Sequence, residues 1–209
     1  MSRPFYRITR DLHLYLGLFS SPFVLLFAVS VFFLVHTWLP RLTPETASTR
    51  VVTAWTLPAD WQKLSGRPLI DALKPGLEKA GVPGEVGFVQ YSAAQQKLTI
   101  PVTIPGRETT VTLNVASGEA TIVTRERGLA PALVTLHKSP GQHGGAIHMN
   151  WVFIAAWRWV SDATACLILF VSVSGIYLWY VLRAERRVGF ILIFAGAVSF
   201  FGMAYALSR

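Results

Sequence analysis

Charge is scarce in this sequence. Asp, Glu, Lys and Arg make up 14% of the chain, against about 25% in typical soluble domains. Acidic residues are scarcer than basic ones, 11 against 19, which gives a formal net charge of +8. There is one cysteine, Cys166, which excludes an intrachain disulfide and a cysteine-built zinc site. No G-x-G-x-x-G fingerprint, nucleophile elbow or phosphate loop occurs. Dinucleotide binding, serine hydrolysis and nucleotide phosphate chemistry therefore lack their customary groups.

Apolar residues are abundant, at 52%, with a mean hydropathy of +0.45, and they are concentrated in blocks. About 20 consecutive apolar residues cross a bilayer core of roughly 30 Å. Three stretches reach that length: 12–39, a run within 152–182, and 188–207. The first is too long for the apolar region of a signal peptide, about 7–15 residues, and no small-residue cleavage site follows it. It reads as an uncleaved anchor. The expected fold class is a membrane protein, α-helical with three transmembrane helices, holding one extracytoplasmic α+β domain between helices 1 and 2. The segments expected are an N-terminus at 1–11, helix 1 at 12–39, the domain and a membrane-proximal stretch at 40–149, helix 2 with an outer extension at 150–182, a loop at 183–187 and helix 3 at 188–207.

Orientation follows from arginines in the short flanks. Arg3, Arg7 and Arg10 precede the first span, and Arg183, Arg186 and Arg187 join the second to the third. Such segments stay in the cytoplasm, which places the middle domain and the C-terminus outside. Trp179 and Tyr180 beside Arg183, and Trp157 and Trp159 earlier, read as aromatic belts at the two interfaces. The net charge is accounted for by this topology without nucleic acid. Cys166 falls inside the second span, where packing is its expected role.

The middle domain reads as small α+β. Residues 68–80 carry Leu69, Ile70, Leu73 and Leu77 at helical spacing, opened by Pro68 and closed by Gly81. Pro75-Gly76 predicts a kink or a break. Strand-like runs follow at 86–91, 97–104, 108–115 and 119–124, with hairpin turns at Pro105-Gly106 and Ala116-Ser117-Gly118. A helix on a short antiparallel sheet is the simplest assembly.

Several segments together resemble a known family. Arg10-Asp11-Leu12-His13-Leu14-Tyr15-Leu16-Gly17 is similar to the R-x-L-H-x-x-L-G motif that opens PepSY-associated transmembrane proteins. Residues 111–119, VTLNVASGE, resemble the strand-turn-strand of a PepSY domain. Leu136-His137-Lys138, followed by Ser174-Gly175-Ile176-Tyr177-Leu178-Trp179, resembles that family's second-helix signature. The resemblance implies a multi-pass protein of a bacterial inner membrane with a periplasmic PepSY-like domain. Some of its members are haem-carrying ferric-siderophore reductases, and others have no established activity. This chain departs from the larger reductases in having three spans and one outer domain.

The histidines are the candidate chemistry. Haem b in a membrane bundle is held by imidazoles from facing elements. His13 and His36 lie 23 residues apart on one predicted helix, roughly 34 Å along its axis, so they cannot share an iron. His36 has possible partners in His137, His148 and His143, all ahead of the second span. His137, in the family-like Leu-His-Lys motif, is placed first, so His36 with His137 is the expected haem-iron pair. His148 comes second, and His143, in a Gly-rich segment, last. The bland reading makes these interfacial polar residues. His13 lacks an intrachain partner, since neither later span contains histidine. It serves an iron only with a second copy, a companion subunit or as the sole axial ligand; otherwise it hydrogen-bonds across helices. Arg158 and Asp162, four apart on one helix face, read first as an ion pair, with a haem-propionate or substrate contact through Arg158, or proton handling by Asp162, as functional alternatives. Ser172, Ser174 and Gly175 read as small residues for close helix packing.

Two functions of different classes stand. One is a haem-b electron carrier supporting reduction of ferric iron or a siderophore outside the membrane, with its electron donor elsewhere. The other is a non-catalytic, membrane-anchored PepSY module that binds or regulates a periplasmic or membrane protein. Whether the chain is an enzyme stays open. Besides lipid, the expected partners are further copies of the chain or a companion membrane subunit.

Overall fold

A computed structural model describes residues 3–36, 45–139, 147–183 and 185–208. Helix α1 (Arg3–Val35) leads into strand β1 (Thr46–Val52) and helix α2 (Gly66–Lys79). Strands β2 (Glu85–Val86), β3 (Gln90–Ser92), β4 (Lys97–Ile104), β5 (Arg107–Asn114) and β6 (Glu119–Glu126) follow, then α3 (Leu129–Lys138), α4 (Val152–Leu182) and α5 (Arg186–Leu207). Helices α1, α4 and α5 are each long and apolar enough to cross a membrane. The protein is thus a membrane protein whose three spans flank an antiparallel sheet. The helix of the first span begins well ahead of residue 12, at Arg3.

The chain divides into two compact units, the described residues of Met1–Pro22 with Thr164–Arg209, and those of Phe23–Ala163. Pro22 sits inside α1 and cannot donate to the carbonyl of Leu18. The hydroxyl of Ser21 donates to that carbonyl instead, at 2.8 Å. In lipid an orphaned carbonyl costs several kcal/mol, about as much as any lost backbone bond there, so this substitution helps the helix to run through its proline.

In the second unit the sheet runs β1-β6-β5-β4-β2, with β3 also on β4, and every pairing is antiparallel. Alternate residues of the central strands face one core: Leu98, Ile100 and Val102 from β4, Val111 and Leu113 from β5, and Ala120 and Ile122 from β6. Ile70, Leu73 and Leu77 of α2 close it. Contrary to the expectation of a break, α2 runs through Pro75 as one element. That apolar stripe is buried on the sheet, and Gly76 lets the Trp55 ring lie where a Cβ would be 2.9 Å from its Cζ2.

The expected strand at 86–91 is two short strands, and Pro101 of β4 explains the interruption. The amide of Gly87 donates to Pro101 O at 2.8 Å, so Pro101 turns its backbone groups toward this edge. In a regular antiparallel pair it would return a bond, but proline has no N–H to give. The ladder lapses there and resumes at Gln90. Both expected hairpin turns occur. Gly106, at φ +80, also lies so near the start of α3 that an added Cβ would be 2.9 Å from Gly128 O.

Candidate functional site

His137 lies in the last turn of α3, in the second unit. Its Nδ1 lies 2.7 Å from Oγ of Ser30 on α1, and its ring meets Phe27 edge-on at 5.7 Å between centroids. Phe27 in turn packs on Trp157 of α4 at 5.9 Å. The indole of Trp157 donates to Leu136 O at 2.9 Å. Trp157 thus ties α3 to α4 and is half-buried, whereas Trp159 is 77% exposed and free to serve as a belt residue.

His13 occupies a comparable place in the first unit. Its Nδ1 is 2.8 Å from Oγ of Ser174 on α4, and an added Cβ on Gly175 would be 3.2 Å from its Cε1. Gly175 also borders an open, mainly apolar groove of about 560 Å³, lined by Ile176, Trp179, Val188, Leu192 and Ile193 among others. Ser174 and Gly175 do serve close packing, and Ser174 makes a specific bond as well. Ser30, which as a sequence feature merely interrupts an apolar run, is fully buried and is the partner of His137. Serine scattered through a span carries no sign of which helix it will meet, so only the tertiary arrangement singles it out.

The remaining candidates are placed differently. His36 follows the last turn of α1, its amide bonded to Phe32 O and its ring 6.0 Å from that of Phe32. Six residues beyond Ser30 is about 240° round a helix, so His36 leaves α1 on a different side from the one that holds His137. His148 sits with Nδ1 3.7 Å from Oε1 of Glu85, and its carbonyl accepts from Arg67 at 3.3 Å. His143 lies outside the described residues. Arg158 reaches Asp162, Nε to Oδ2 at 3.8 Å, with both side chains more than half exposed, and Nη1 of Arg158 lies 3.1 Å from Sδ of Met149. Among the described residues no group of three His, Cys, Asp or Glu could hold a metal ion.

A second constellation joins sheet and span within the second unit. Asn150 pairs through its side chain with Val86, accepting from Val86 N at 3.0 Å and donating to Val86 O at 2.7 Å. The carboxylate of Glu85 accepts from Asn150 N at 3.3 Å and Trp151 N at 2.8 Å, at the start of α4. Orphan amides and the positive end of the helix dipole make a carboxylate favourable there. Sequence patterning gives no hint of this clamp, because it joins residues some 65 positions apart.

A family model described as "Putative PepSY_TM-like" matches residues 7–207, nearly the whole chain. The chain belongs to the PepSY_TM-like family. The match spans all three helices and the intervening domain of this PepSY_TM-like protein. No curated protein and no solved structure matches it.

Proposed function

We propose that this PepSY_TM-like protein is a haem-b electron carrier of a bacterial inner membrane. The observation that supports it best is the seating of His13 and His137 where helices α1 and α4 pack, one in each unit, each with Nδ1 on a serine. Ionisable groups inside spans, as His13 is within α1, are rare and are functional candidates by default. The residues that would hold the group are His13, packed on Gly175, which itself borders the apolar groove, and His137 among Phe27 and Trp157. Haem b, when bound, supplies a reversible one-electron iron couple whose potential is set by ligands and burial. A second copy or a companion subunit would supply the further ligand for His13, and also for His137, because His36 leaves α1 on a different side from Ser30. Arg158 is the candidate propionate contact.

In this reading the N-terminus is cytoplasmic and the sheet domain periplasmic, supported by Arg7, Arg10, Arg183, Arg186 and Arg187 beside the spans. Electrons arrive from a separate donor and leave toward an acceptor outside, ferric iron or a siderophore complex. The absorption spectrum of the purified, haem-replete protein tests it. A reducible Soret and α-band, diminished in His13→Ala and His137→Ala, is the expected result; a colourless preparation eliminates the carrier.

The Glu85–Asn150 clamp favours a second reading, a non-catalytic module whose sheet domain binds or regulates a protein partner. It locks the sheet edge to α4, as expected of a domain that reports to its span. Colourless protein with full function in its host would point to this module.

A further inference from the structure

We infer that Ser30 and Ser174 are positioning residues that hold the proton of His137 and His13 on Nδ1, so that each imidazole, when neutral, offers Nε2 as a bare lone pair to a metal centre. A serine hydroxyl has one proton. In Ser30 that proton is committed within its own helix, because Oγ lies 2.7 Å from Phe27 O. Two oxygens that close are held by a hydrogen between them, and only the serine has one to give. The 2.7 Å contact between Oγ and Nδ1 of His137 must then be made by a proton on the imidazole.

Ser174 repeats the arrangement with the elements exchanged. Its Oγ lies 2.6 Å from Phe170 O and 3.2 Å from Val171 O, so the hydroxyl proton is again turned to the backbone. Nδ1 of His13, at 2.8 Å, must donate. In one case the serine is on α1 and the histidine on α3; in the other the serine is on α4 and the histidine on α1. The two serines are 0% and 5% exposed, which leaves water little access to compete for the bond. A neutral ring with hydrogen on Nδ1 has none on Nε2, and the bond at the first nitrogen decides which nitrogen can take a metal.

Occupancy of Nε2 by haem iron rests on the carrier reading; the tautomer assignment does not. A hydrogen bond at Nδ1 raises the basicity of the metal-bound nitrogen. Loss of either serine hydroxyl therefore makes the ring a poorer donor to ferric iron and raises the midpoint potential of a bound haem.

Nitrogen NMR on the full chain, labelled at histidine, produced under haem limitation and held in lipid nanodiscs, tests the inference. The expected result is a protonated-nitrogen shift for Nδ1 and a lone-pair shift for Nε2 in His13 and His137, assigned with His13→Asn and His137→Asn. Ser174→Ala should convert His13 to a tautomer mixture and leave His137 unchanged; Ser30→Ala should do the reverse. The untouched histidine reports correct folding in each variant, and Ser→Thr, which keeps the hydroxyl, should restore the wild-type pattern. Nε2–H rings in the wild type, or tautomers unmoved by the alanine variants, overturn it. Fixed tautomers in a protein that stays colourless when haem is plentiful uphold the positioning role and remove haem as the occupant.

Discussion

The side-chain amide of Asn150 takes the place of a neighbouring strand for Val86, bonding both its N–H and its C=O across 64 positions of sequence. The same Nδ2 also donates to Ile147 O at 2.9 Å, and Asn150 is buried, at 7% exposure. Leaving a buried polar group unpaired costs about 1–3 kcal/mol. Asn150→Ala strands the amide of Val86 and two carbonyls, so a loss of about 3 kcal/mol is expected. Denaturant unfolding measures it, and hydrogen exchange at Val86 should speed up before exchange in β4 does.

Gly175→Ala is expected to disturb His13 more than the fold. The new Cβ would stand 3.2 Å from Cε1 of the ring, close enough to push the imidazole off Ser174. Overpacking of this kind costs about 1–3 kcal/mol. Thermal unfolding in nanodiscs gives the stability term, and the His13 nitrogen shifts report the lost bond.

Gly189→Ala should part α5 from α4. An added Cβ would fall 2.0 Å from Cζ2 of Trp179, whose ring also meets Phe190 edge-on at 5.3 Å. No residue of α5 is buried, so little else among the described residues holds the helix in this unit. The expected change is a shift in Trp179 fluorescence and loss of a cysteine cross-link engineered between the two helices.

Arg158→Ala should change stability by less than about 1 kcal/mol, the usual worth of an exposed ion pair. Both partners are more than half exposed and 3.8 Å apart. If Arg158 holds a propionate, the same variant shifts the haem midpoint potential while stability stays put, and redox titration separates the two roles.

Asp71 gives the domain a small acid sensitivity. The ammonium of Lys74, 2.9 Å away, lowers its pKa below the ordinary 3.8 by hydrogen bonding, and the charge of Arg67 adds to this. A folded-state pKa below the unfolded one means stabilisation that is present in full above the unfolded value and fades as pH falls through the folded one. Because Asp71 is half exposed, solvent screens the pair and the contribution is within about 1 kcal/mol. Asp71→Asn should lower stability slightly at neutral pH, with the difference from wild type shrinking as pH falls through the folded-state pKa of Asp71, as read from unfolding midpoints across that range.

Much of the architecture was legible because its signals are local. Leu69, Ile70, Leu73 and Leu77 marked α2, and the alternation in β4 through β6 marked the meander. β1 is not legible in the sequence because six of its seven residues are exposed, so it has no alternation to read and rests on its pairing with β6. α3 has no such local signal either, although the Leu-His-Lys motif marks His137 within it. Its ten residues are anchored by contacts from Gly106, Ser30 and Trp157, all distant in sequence.

The sequence by itself determined that this chain enters a membrane, how many times, and that a small sheet domain lies between the first two spans. Run length and periodicity carry that information residue by residue, because burial in lipid or in a core depends on the composition of a whole element. What each histidine touches was decided only by tertiary structure. The partners of His13 and His137 are 161 and 107 positions away, and a hydrogen bond of under 3 Å depends on how two helices rotate and slide against each other, which no local pattern specifies.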